Sequence, residues 1–294
     1  MTKRGAPAQL GELASFSVAT AVGLANHVRM PLLGVGTYRL EGDELKTALL
    51  NAFRCGYRLV DTAHFHGNER TVGDALRETR VPRTDIVVQT KIWLDDMGYD
   101  ETLAAFEQQI ELLRVEYIDV LLLQWPGVST ENHDDDRNRQ ARLAAWRACA
   151  ELLQGGRLRA IGVSNFTVAH LRELSPPPLV NQIELHPLNQ QTEVLEYCAE
   201  HTIVVQAHSP FAAGALLENE ALLQVAERHN VSVAQVILRW LLQKKVVAIF
   251  KSGDREHLRL NTKISDFALD DDDMAAIATL DEQWFSTWNP YEID

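Results

Sequence analysis

The sequence predicts a single-domain α/β fold, a closed (β/α)8 (TIM) barrel. Short, continuously apolar runs alternate with amphipathic runs along almost all of the 294 residues. Such alternation is typical of a parallel sheet whose outer face is covered by helices, and eight repeats in a chain of this length fit a closed barrel. The eight predicted strands are residues 33–36, 58–62, 85–92, 118–124, 160–164, 179–184, 203–208 and 246–250.

The runs between the strands carry apolar residues three and four positions apart, which indicates helices with one buried face. The clearest are residues 102–113 and 140–153. The alternative fold is an open, doubly wound sheet, which usually has a Gly-x-Gly-x-x-Gly turn after its first strand. No such turn follows residues 33–36, so the closed barrel is favoured.

The segments outside the repeats carry separate predictions. Residues 1–14 are expected to form a flexible arm, so that the barrel domain spans 15–294 and opens with a hairpin near 15–31. The polar stretch 126–139 follows the fourth strand and is expected to be a solvated loop on the carboxyl-terminal rim, where barrel active sites are built. The acidic run 270–273 is expected to form the first turn of a helix, where the helix dipole stabilises negative charge.

Composition limits the partners and the compartment. A net charge of −13 argues against nucleic acid as a partner, because no excess of cations is available to neutralise phosphates. No apolar run is long enough to span a membrane, and no secretory signal follows Lys3 and Arg4. Cys55, Cys149 and Cys198 lack paired or metal-type spacing and are interpreted as buried thiols. We therefore expect a cytoplasmic protein, and a monomer if it acts alone.

The most specific motif is the stretch 56–69, Gly-Tyr-Arg-Leu-Val-Asp-Thr-Ala-His-Phe-His-Gly-Asn-Glu. It closely resembles the signature of the aldo-keto reductases, barrel enzymes that reduce a carbonyl with NADPH by means of an Asp, a Tyr, a Lys and a His. Asp61 matches the Asp, and Lys91, in Val-Val-Gln-Thr-Lys, matches the Lys. His66 occupies the Tyr position and Gln124 the His position. The resemblance extends over nearly the whole chain, but half of the catalytic set differs.

The two differing residues bear on proton transfer. In the family, a phenol assisted by the neighbouring ammonium donates a proton to the reduced oxygen. His66 is a poor acid as a neutral imidazole and a good one as an imidazolium. Lys91 disfavours the cation and Asp61 favours it, so the sequence leaves its charge state open. The imidazole also falls about two ångströms short of the phenol oxygen, and Gln124 can donate a hydrogen bond but cannot transfer a proton.

The resemblance also implies positions that would contact the nicotinamide of NADPH. Gly36 and Thr37 lie in the first-strand segment beside it. The remaining positions carry groups able to hydrogen-bond or to stack, although Gly-Val-Ser-Asn taken alone would be interpreted as a strand end followed by a helix cap. They are Ser164, Asn165, Gln182, His208 and Ser209. His208 stands where the family normally has a stacking tyrosine, and imidazole offers less stacking area.

On the adenosine side the sequence predicts weaker binding. Lys251 and Ser252 match the segment that binds the 2'-phosphate and keep a positive charge and a hydroxyl. His257 replaces the arginine that grips the phosphate, which removes a bidentate contact, whereas Asn261 agrees with the pattern. Asp254 adds a negative charge nearby. Because a charge-assisted hydrogen bond contributes about 1.5–3 kcal/mol, we expect NADPH to bind with reduced affinity.

Two further features have alternative interpretations. His64, His66 and His208 all lie near strand ends, and three imidazoles could form an open zinc-type site. No helical His pair or Cys pair fixes such a geometry, so no metal is predicted. The tail 282–294 contains four aromatic residues, Trp284, Phe285, Trp288 and Tyr291. In the family the tail folds over the substrate pocket, so these aromatics either line the pocket or pack against the outer barrel.

Two functional hypotheses follow. The first is a pseudoenzyme, a barrel that keeps the reductase fold without efficient carbonyl reduction and binds a ligand or a protein partner. This hypothesis rests on four differences from the family pattern, in the proton donor, its helper, the stacking ring and the phosphate-binding arginine. The second is a working NADPH-dependent aldehyde or ketone reductase that uses His66 as proton donor, which the retention of Asp61 and Lys91 supports. The expected small ligand is a carbonyl compound or the dinucleotide itself. A different chemistry on the same rim is a third alternative.

Overall fold

The computed structural model describes residues 17–129 and 136–293. The predicted arm, 1–14, lies outside these residues, as do 130–135 in the predicted rim loop. β1 (Ala21–Gly23) and β2 (Arg29–Pro31) pair antiparallel. The predicted entry hairpin is therefore confirmed over its described part.

Eight parallel strands form the barrel. They are β3 (Leu33–Gly36), β4 (Leu59–Asp61), β5 (Val87–Ile92), β6 (Ile118–Leu123), β7 (Leu158–Ser164), β8 (Val180–Glu184), β9 (Val204–His208) and β10 (Val247–Phe250). Neighbours in sequence pair in parallel, and β10 pairs with both β9 and β3, which closes the sheet. The (β/α)8 prediction is confirmed, and every predicted strand is found with its ends displaced by two residues or fewer.

Helices cover the outside of the barrel. Those in the described ranges are α1 (Gly42–Arg54), α2 (Glu69–Glu78), α3 (Tyr99–Leu113), α4 (Arg137–Gln154), α5 (Val168–Arg172), α6 (Thr192–Glu200), α7 (Glu220–His229), α8 (Val233–Gln243), α9 (Arg255–Asn261) and α10 (Asp271–Ala278). α3 and α4 begin about a turn before the predicted starts, because a polar first turn shows no apolar period. Residues 137–139, predicted as loop, are thus helical. No helix in the described part is both long and apolar enough to cross a bilayer.

The hairpin covers the amino-terminal end of the barrel. Met30 is fully buried, and its sulfur lies 3.5 Å from Gln206 Nε2 inside the barrel. Asn26, in the hairpin turn, donates from Nδ2 to the main-chain oxygen of Arg159 at 2.7 Å, near the start of β7. With this end covered, the carboxyl ends of the strands form the open mouth, where barrel sites are found.

The acidic run before α10 forms the helix start that the sequence predicts. Asp270 is the N-cap, and its Oδ1 accepts from the Asp273 main-chain N–H at 2.8 Å, while Asp273 Oδ2 accepts from the Asp270 N–H at 3.2 Å. This reciprocal pair is a capping box, which satisfies two otherwise unpaired donors of the first turn. Asp273 also pairs with His229 on α7 at 2.6 Å, which holds the two helices together.

The tail is fixed beside the mouth through Glu184, the last residue of β8. Glu184 Oε1 accepts from the Ser286 main-chain N–H at 2.6 Å, and Oε2 accepts from the Thr287 hydroxyl at 2.7 Å. His170 Nε2 lies 3.0 Å from the main-chain oxygen of Ile293. Burial alone would raise the pKa of Glu184, but His186, His208 and Ser286 hold it at about 2, so the carboxylate stays charged and able to accept these bonds.

Candidate active site

A buried ion pair lies at the centre of the mouth. Asp61 ends β4 and Lys91 is on β5, so the parallel register brings them to the same end of the barrel. Lys91 Nζ donates to both carboxylate oxygens of Asp61 at 2.7 Å and to the main-chain oxygen of Thr62 at 3.1 Å. Burial opposes ionisation of Asp61, but the Lys91 charge and hydrogen bonds keep its pKa below the ordinary value. These contacts direct the Lys91 ammonium at Asp61 and Thr62.

A layer of amide side chains supports this pair from inside the barrel. Gln89 and Gln182 donate from Nε2 to Asp61 Oδ1 at 2.6 and 3.1 Å, and both also donate to Gln206 Oε1. The predicted carboxamide partner Gln182 thus lies in the mouth and also positions Asp61. Gln89 and Gln206 were not among the predicted residues. The sequence feature that could have identified them is their inward-facing position on strands β5 and β9.

His66 lies in a 3-10 turn, His64–His66, directly after β4. Its Nδ1 lies 3.0 Å from the Thr37 hydroxyl, and its ring centroid lies 5.2 Å from that of Tyr38. Burial and the positive charge of Lys91 lower the pKa of His66 to about 3, against the weaker opposing effect of Asp61. The structure thereby decides what the sequence leaves open: the imidazole is neutral at physiological pH.

Beneath His66 runs a chain of hydroxyl and amide groups that the sequence analysis did not identify. The hydroxyls of Thr37 and Thr62 lie 3.0 Å apart, and that of Thr62 lies 3.0 Å from Asn68 Oδ1. Asn68 Nδ2 donates to the main-chain oxygens of Thr37 and Leu40, each at 2.9 Å. Thr62 and Asn68 both lie in the 56–69 motif, so membership of that motif was the signal.

Gln124 follows β6 at the same rim. Its main-chain N–H donates to the oxygen of Ile92 at 3.0 Å, and its main-chain oxygen accepts from Asn165 Nδ2 at 3.0 Å. Its side-chain Oε1 is buried without a hydrogen-bond partner among the described residues. A buried acceptor left unpaired is costly, so a ligand that supplies a donor there gains affinity.

The predicted nicotinamide-side residues of β7 and β9 form one connected group. His208 Nε2 lies 2.8 Å from Asn165 Oδ1, and His208 Nδ1 lies 3.1 Å from the Ser209 hydroxyl. Asn165 Nδ2 also donates to the Ser164 hydroxyl at 3.2 Å. Burial lowers the pKa of His208 to about 4, so this ring too is neutral and donates through one nitrogen only. Gly36, at the end of β3, pairs in register with Asp61 and so lies at the same end of the barrel.

The predicted adenosine-side residues cluster after β10. Lys251 is exposed, Ser252 and Asn261 are buried, and His257 is exposed on α9. Asp254 caps α9, accepting from the main-chain N–H groups of Glu256 and His257 at 2.7 and 2.9 Å, and these bonds lower its pKa. This carboxylate therefore stays ionised next to the predicted phosphate position.

Two arginines lie near His257 on α9. Arg259 forms an ion pair with Glu256, which lies one turn earlier on the exposed face of α9. Arg255, the first residue of α9, is exposed and follows the Asp254 cap directly. The weaker phosphate contact that the sequence predicts for this part of the site stays a prediction.

The three histidines considered for a metal have separate partners. His64 Nδ1 lies 3.6 Å from Glu69, whereas His66 contacts Thr37 and His208 contacts Asn165. Within the described ranges, no group of three His, Cys, Asp or Glu side chains is arranged to hold a metal ion.

Aromatic side chains line one side of the mouth. Phe65 stacks on Trp93 with ring centroids 4.1 Å apart, and Tyr38 continues the stack 6.1 Å from Phe65. Trp288 of the tail reaches Trp93 at 6.1 Å, and it also contacts the Trp125 ring edge-on at 5.8 Å. Trp288 therefore lines the pocket, which is the first of the two alternatives for the tail aromatics. Trp284, by contrast, packs beside His186, and Phe285 beside Tyr291.

Comparison with known proteins places this site in a family. Residues 32–282 match the model of the aldo/keto reductase family. The chain is 42% identical over 269 residues to a 9,11-endoperoxide prostaglandin H2 reductase of Trypanosoma cruzi, covering 89% of this chain and 91% of that protein. It is also 42% identical over 282 residues to a glyoxal reductase of Bacillus subtilis, covering 94% and 98%.

Solved structures agree. An aldo/keto reductase from Brucella melitensis superposes with a TM-score of 0.82 at 38% identity, covering 89% of this chain and 99% of that one. The silkworm (Bombyx mori) aldo-keto reductase AKR2E5, crystallised in complex with NADPH, superposes with a TM-score of 0.85 at 30% identity, covering 92% and 90%. The resemblance carried by the 56–69 motif is thus confirmed over most of the chain: this protein belongs to the aldo/keto reductase family.

Proposed function

We propose that this protein binds NADPH at the barrel mouth and reduces carbonyl compounds far more slowly than a family member with a tyrosine at position 66, so that binding rather than rapid turnover is its main activity. One observation carries the proposal. The side chain at that position is a neutral imidazole, with a pKa lowered to about 3 by burial and by Lys91.

The residues present fit NADPH unevenly. Ser164, Asn165 and Gln182 offer hydroxyl and amide groups suited to the nicotinamide carboxamide, next to the Asp61–Lys91 pair. Lys251 and Ser252 would hold the 2'-phosphate, with His257 in place of an arginine. When bound, NADPH supplies a hydride. The crystal structure of a relative in complex with NADPH supports this assignment.

Carbonyl reduction also needs a proton at the carbonyl oxygen, and the described mouth supplies it poorly. With a pKa of about 3, roughly one His66 in ten thousand is protonated at pH 7. The Lys91 ammonium is directed at Asp61 and at the main-chain oxygen of Thr62. Loss of a positioned general acid costs about 10²–10⁴ in rate, which sets the expected deficit.

The second candidate is a working reductase in which the His66 imidazolium, or a water that it holds, donates the proton. The intact Asp61–Lys91 pair favours it. So do relatives named as reductases, such as the glyoxal reductase of B. subtilis. On this alternative the reduction rate rises about tenfold for each pH unit below 7, because the imidazolium population does so, and it is lost in His66→Ala.

A four-variant comparison tests the proposal. NADPH oxidation by glyoxal and by benzaldehyde is followed for the wild type, His66→Tyr, Gln124→His and the double variant, with His64→Tyr on the same turn as control. We expect slow turnover in the wild type, a gain of about 10²–10⁴ in the double variant, and no gain in the control. Wild-type turnover of about 1 s⁻¹ or faster, an ordinary enzyme rate, would contradict the proposal.

A further inference from the structure

We propose that the mouth selects a ligand that carries a hydroxyl group, which donates a hydrogen bond to His66 Nε2, over a carbonyl compound, which can only accept one. This inference rests on the proposed function in that the ligand enters the same mouth. It names the chemical class that the mouth recognises. It also concerns the resting state of the protein, and so it can be tested without turnover.

The first step is a count of hydrogens in the chain beneath His66. Three contacts of 3.0 Å join His66 Nδ1 to Thr37, Thr37 to Thr62, and Thr62 to Asn68 Oδ1. A fourth contact, from the Thr37 hydroxyl to Asn68 Oδ1, is longer, at 3.3 Å. Each of the three contacts of 3.0 Å requires one hydrogen, and the two threonine hydroxyls supply two. The third can come only from the ends of the chain, that is, from His66 or from Asn68.

Asn68 cannot supply it. Both hydrogens of its Nδ2 are engaged by the main-chain oxygens of Thr37 and Leu40, at 2.9 Å each. These two carbonyl acceptors fix the orientation of the amide, so Oδ1, an acceptor only, faces the threonines. The hydrogen bonds therefore run in one direction, from His66 to Thr37, from Thr37 to Thr62 and from Thr62 to Asn68.

His66 thus carries its hydrogen on Nδ1. Since the ring is neutral, Nε2 holds a lone pair and no hydrogen. Nε2 makes no hydrogen bond to any described residue and is not sealed off from solvent. The atom offered to an incoming ligand is therefore an acceptor, the reverse of the phenol hydroxyl that the family pattern would place there.

The neighbouring groups reinforce this polarity. Lys91 directs its ammonium at the two carboxylate oxygens of Asp61 and at the main-chain oxygen of Thr62. Gln124 Oε1 is a second acceptor, buried without a partner among the described residues. A carbonyl oxygen placed against His66 Nε2 or Gln124 Oε1 meets a lone pair, whereas a hydroxyl supplies the hydrogen that each of these atoms lacks.

The aromatic side chains beside His66 define suitable probes. Tyr38, Phe65 and Trp93 form a continuous stack against which a phenyl ring can pack. Benzyl alcohol, benzyl methyl ether and N,N-dimethylbenzamide share such a ring and differ in the polar group. The alcohol donates a hydrogen bond, the ether and the amide only accept, and none of the three is readily reduced by NADPH.

The binding test uses calorimetric titration of the three probes into the full-length protein, with and without saturating NADPH. We expect benzyl alcohol to bind about tenfold more tightly than the ether, equivalent to about 1.4 kcal/mol and within the range for one hydrogen bond. His66→Phe should abolish the difference, and His64→Phe, on the same turn, should leave it unchanged. Tighter binding of the dimethylbenzamide than of benzyl alcohol by the wild type would overturn the inference.

A spectroscopic test needs no ligand. In protein labelled with ¹⁵N-histidine, the Nδ1 and Nε2 shifts of His66, assigned by their loss in His66→Phe, distinguish the two neutral tautomers. We expect an unprotonated Nε2, and a protonated Nε2 would overturn the inference. Failure of NADPH to bind, measured separately by fluorescence, would remove the proposed function while leaving both results for His66 interpretable.

Discussion

Two layers of the same site differ in how fully their polar groups are satisfied. The floor consists of the Asp61–Lys91 pair and the glutamines beneath it, Gln89, Gln182 and Gln206, where charges and amide hydrogens meet partners within 3.1 Å. The rim consists of His66, Gln124, His208 and His257, and here Gln124 Oε1 has no partner among the described residues. The resemblance in the sequence predicts that Asp61, Lys91 and Gln182 in the floor keep the family's residue types and that the four rim residues differ from them.

This difference bears on what the presence of Asp61 and Lys91 says about catalysis. A buried ion pair that loses one partner leaves an uncompensated charge, at a cost of several kcal/mol. The residues of the floor are therefore constrained by the stability of the fold as well as by any catalytic role. His66 and His208 in the rim are neutral, so replacing either of them leaves no buried charge behind. Retention of Asp61 and Lys91 is thus weak support for catalysis, whereas the change at His66 is informative.

The largest expected effect breaks the floor. Lys91→Met leaves the Asp61 carboxylate buried with only amide donors, so we expect a loss of about 3–5 kcal/mol in the free energy of unfolding, measured by urea denaturation. The double variant Asp61→Asn, Lys91→Met should recover most of it, because no charge is left unpaired. His66→Phe, in the rim, should cost about 1.5 kcal/mol or less. Equal losses in the floor and rim variants would contradict the distinction.

The next effect strengthens the rim on its adenosine side. His257→Arg restores a group that can grip the 2'-phosphate, worth about 1.5–3 kcal/mol. We expect NADPH to bind roughly tenfold to a hundredfold more tightly, measured by fluorescence titration. Affinity for NADH, which lacks that phosphate, should not change. His201→Arg, which adds the same charge after α6, is the control. An equal gain with NADH would show that general charge, rather than phosphate contact, is responsible.

The smallest effect concerns pH. The pKa values of His66 and His208, about 3 and about 4, lie below the ordinary value of 6.5. Below pH 6.5 the unfolded chain takes up protons at these positions and the folded chain does not, so stability falls as pH falls. Each histidine should contribute about 1.4 kcal/mol per pH unit between about pH 6.5 and 5. Denaturation at several pH values should show this slope reduced in His66→Phe and in His208→Phe. Unchanged slopes would mean that these rings titrate normally in the fold.

Much of the site was predictable because its positions follow from local pattern. The strands alternate with helices, and Asp61, Lys91 and Gln124 lie within the predicted strands near their carboxyl ends, which a barrel brings to one rim. The residues that were missed, Asn68, Gln89 and Gln206, act through hydrogen bonds between distant segments. No spacing along the chain indicates such a partner.

The sequence by itself determined the barrel, the family and the identity of the side chains at the mouth, because apolar periodicity and a 14-residue motif, 56–69, are local properties. Only the tertiary structure decided the charge and the hydrogen position of His66. Those depend on burial, on Lys91 from the next strand, and on the hydroxyl of Thr37, directly after β3, to which His66 is hydrogen-bonded. The energy of a proton depends on everything within a few ångströms of it, and the fold alone sets those neighbours.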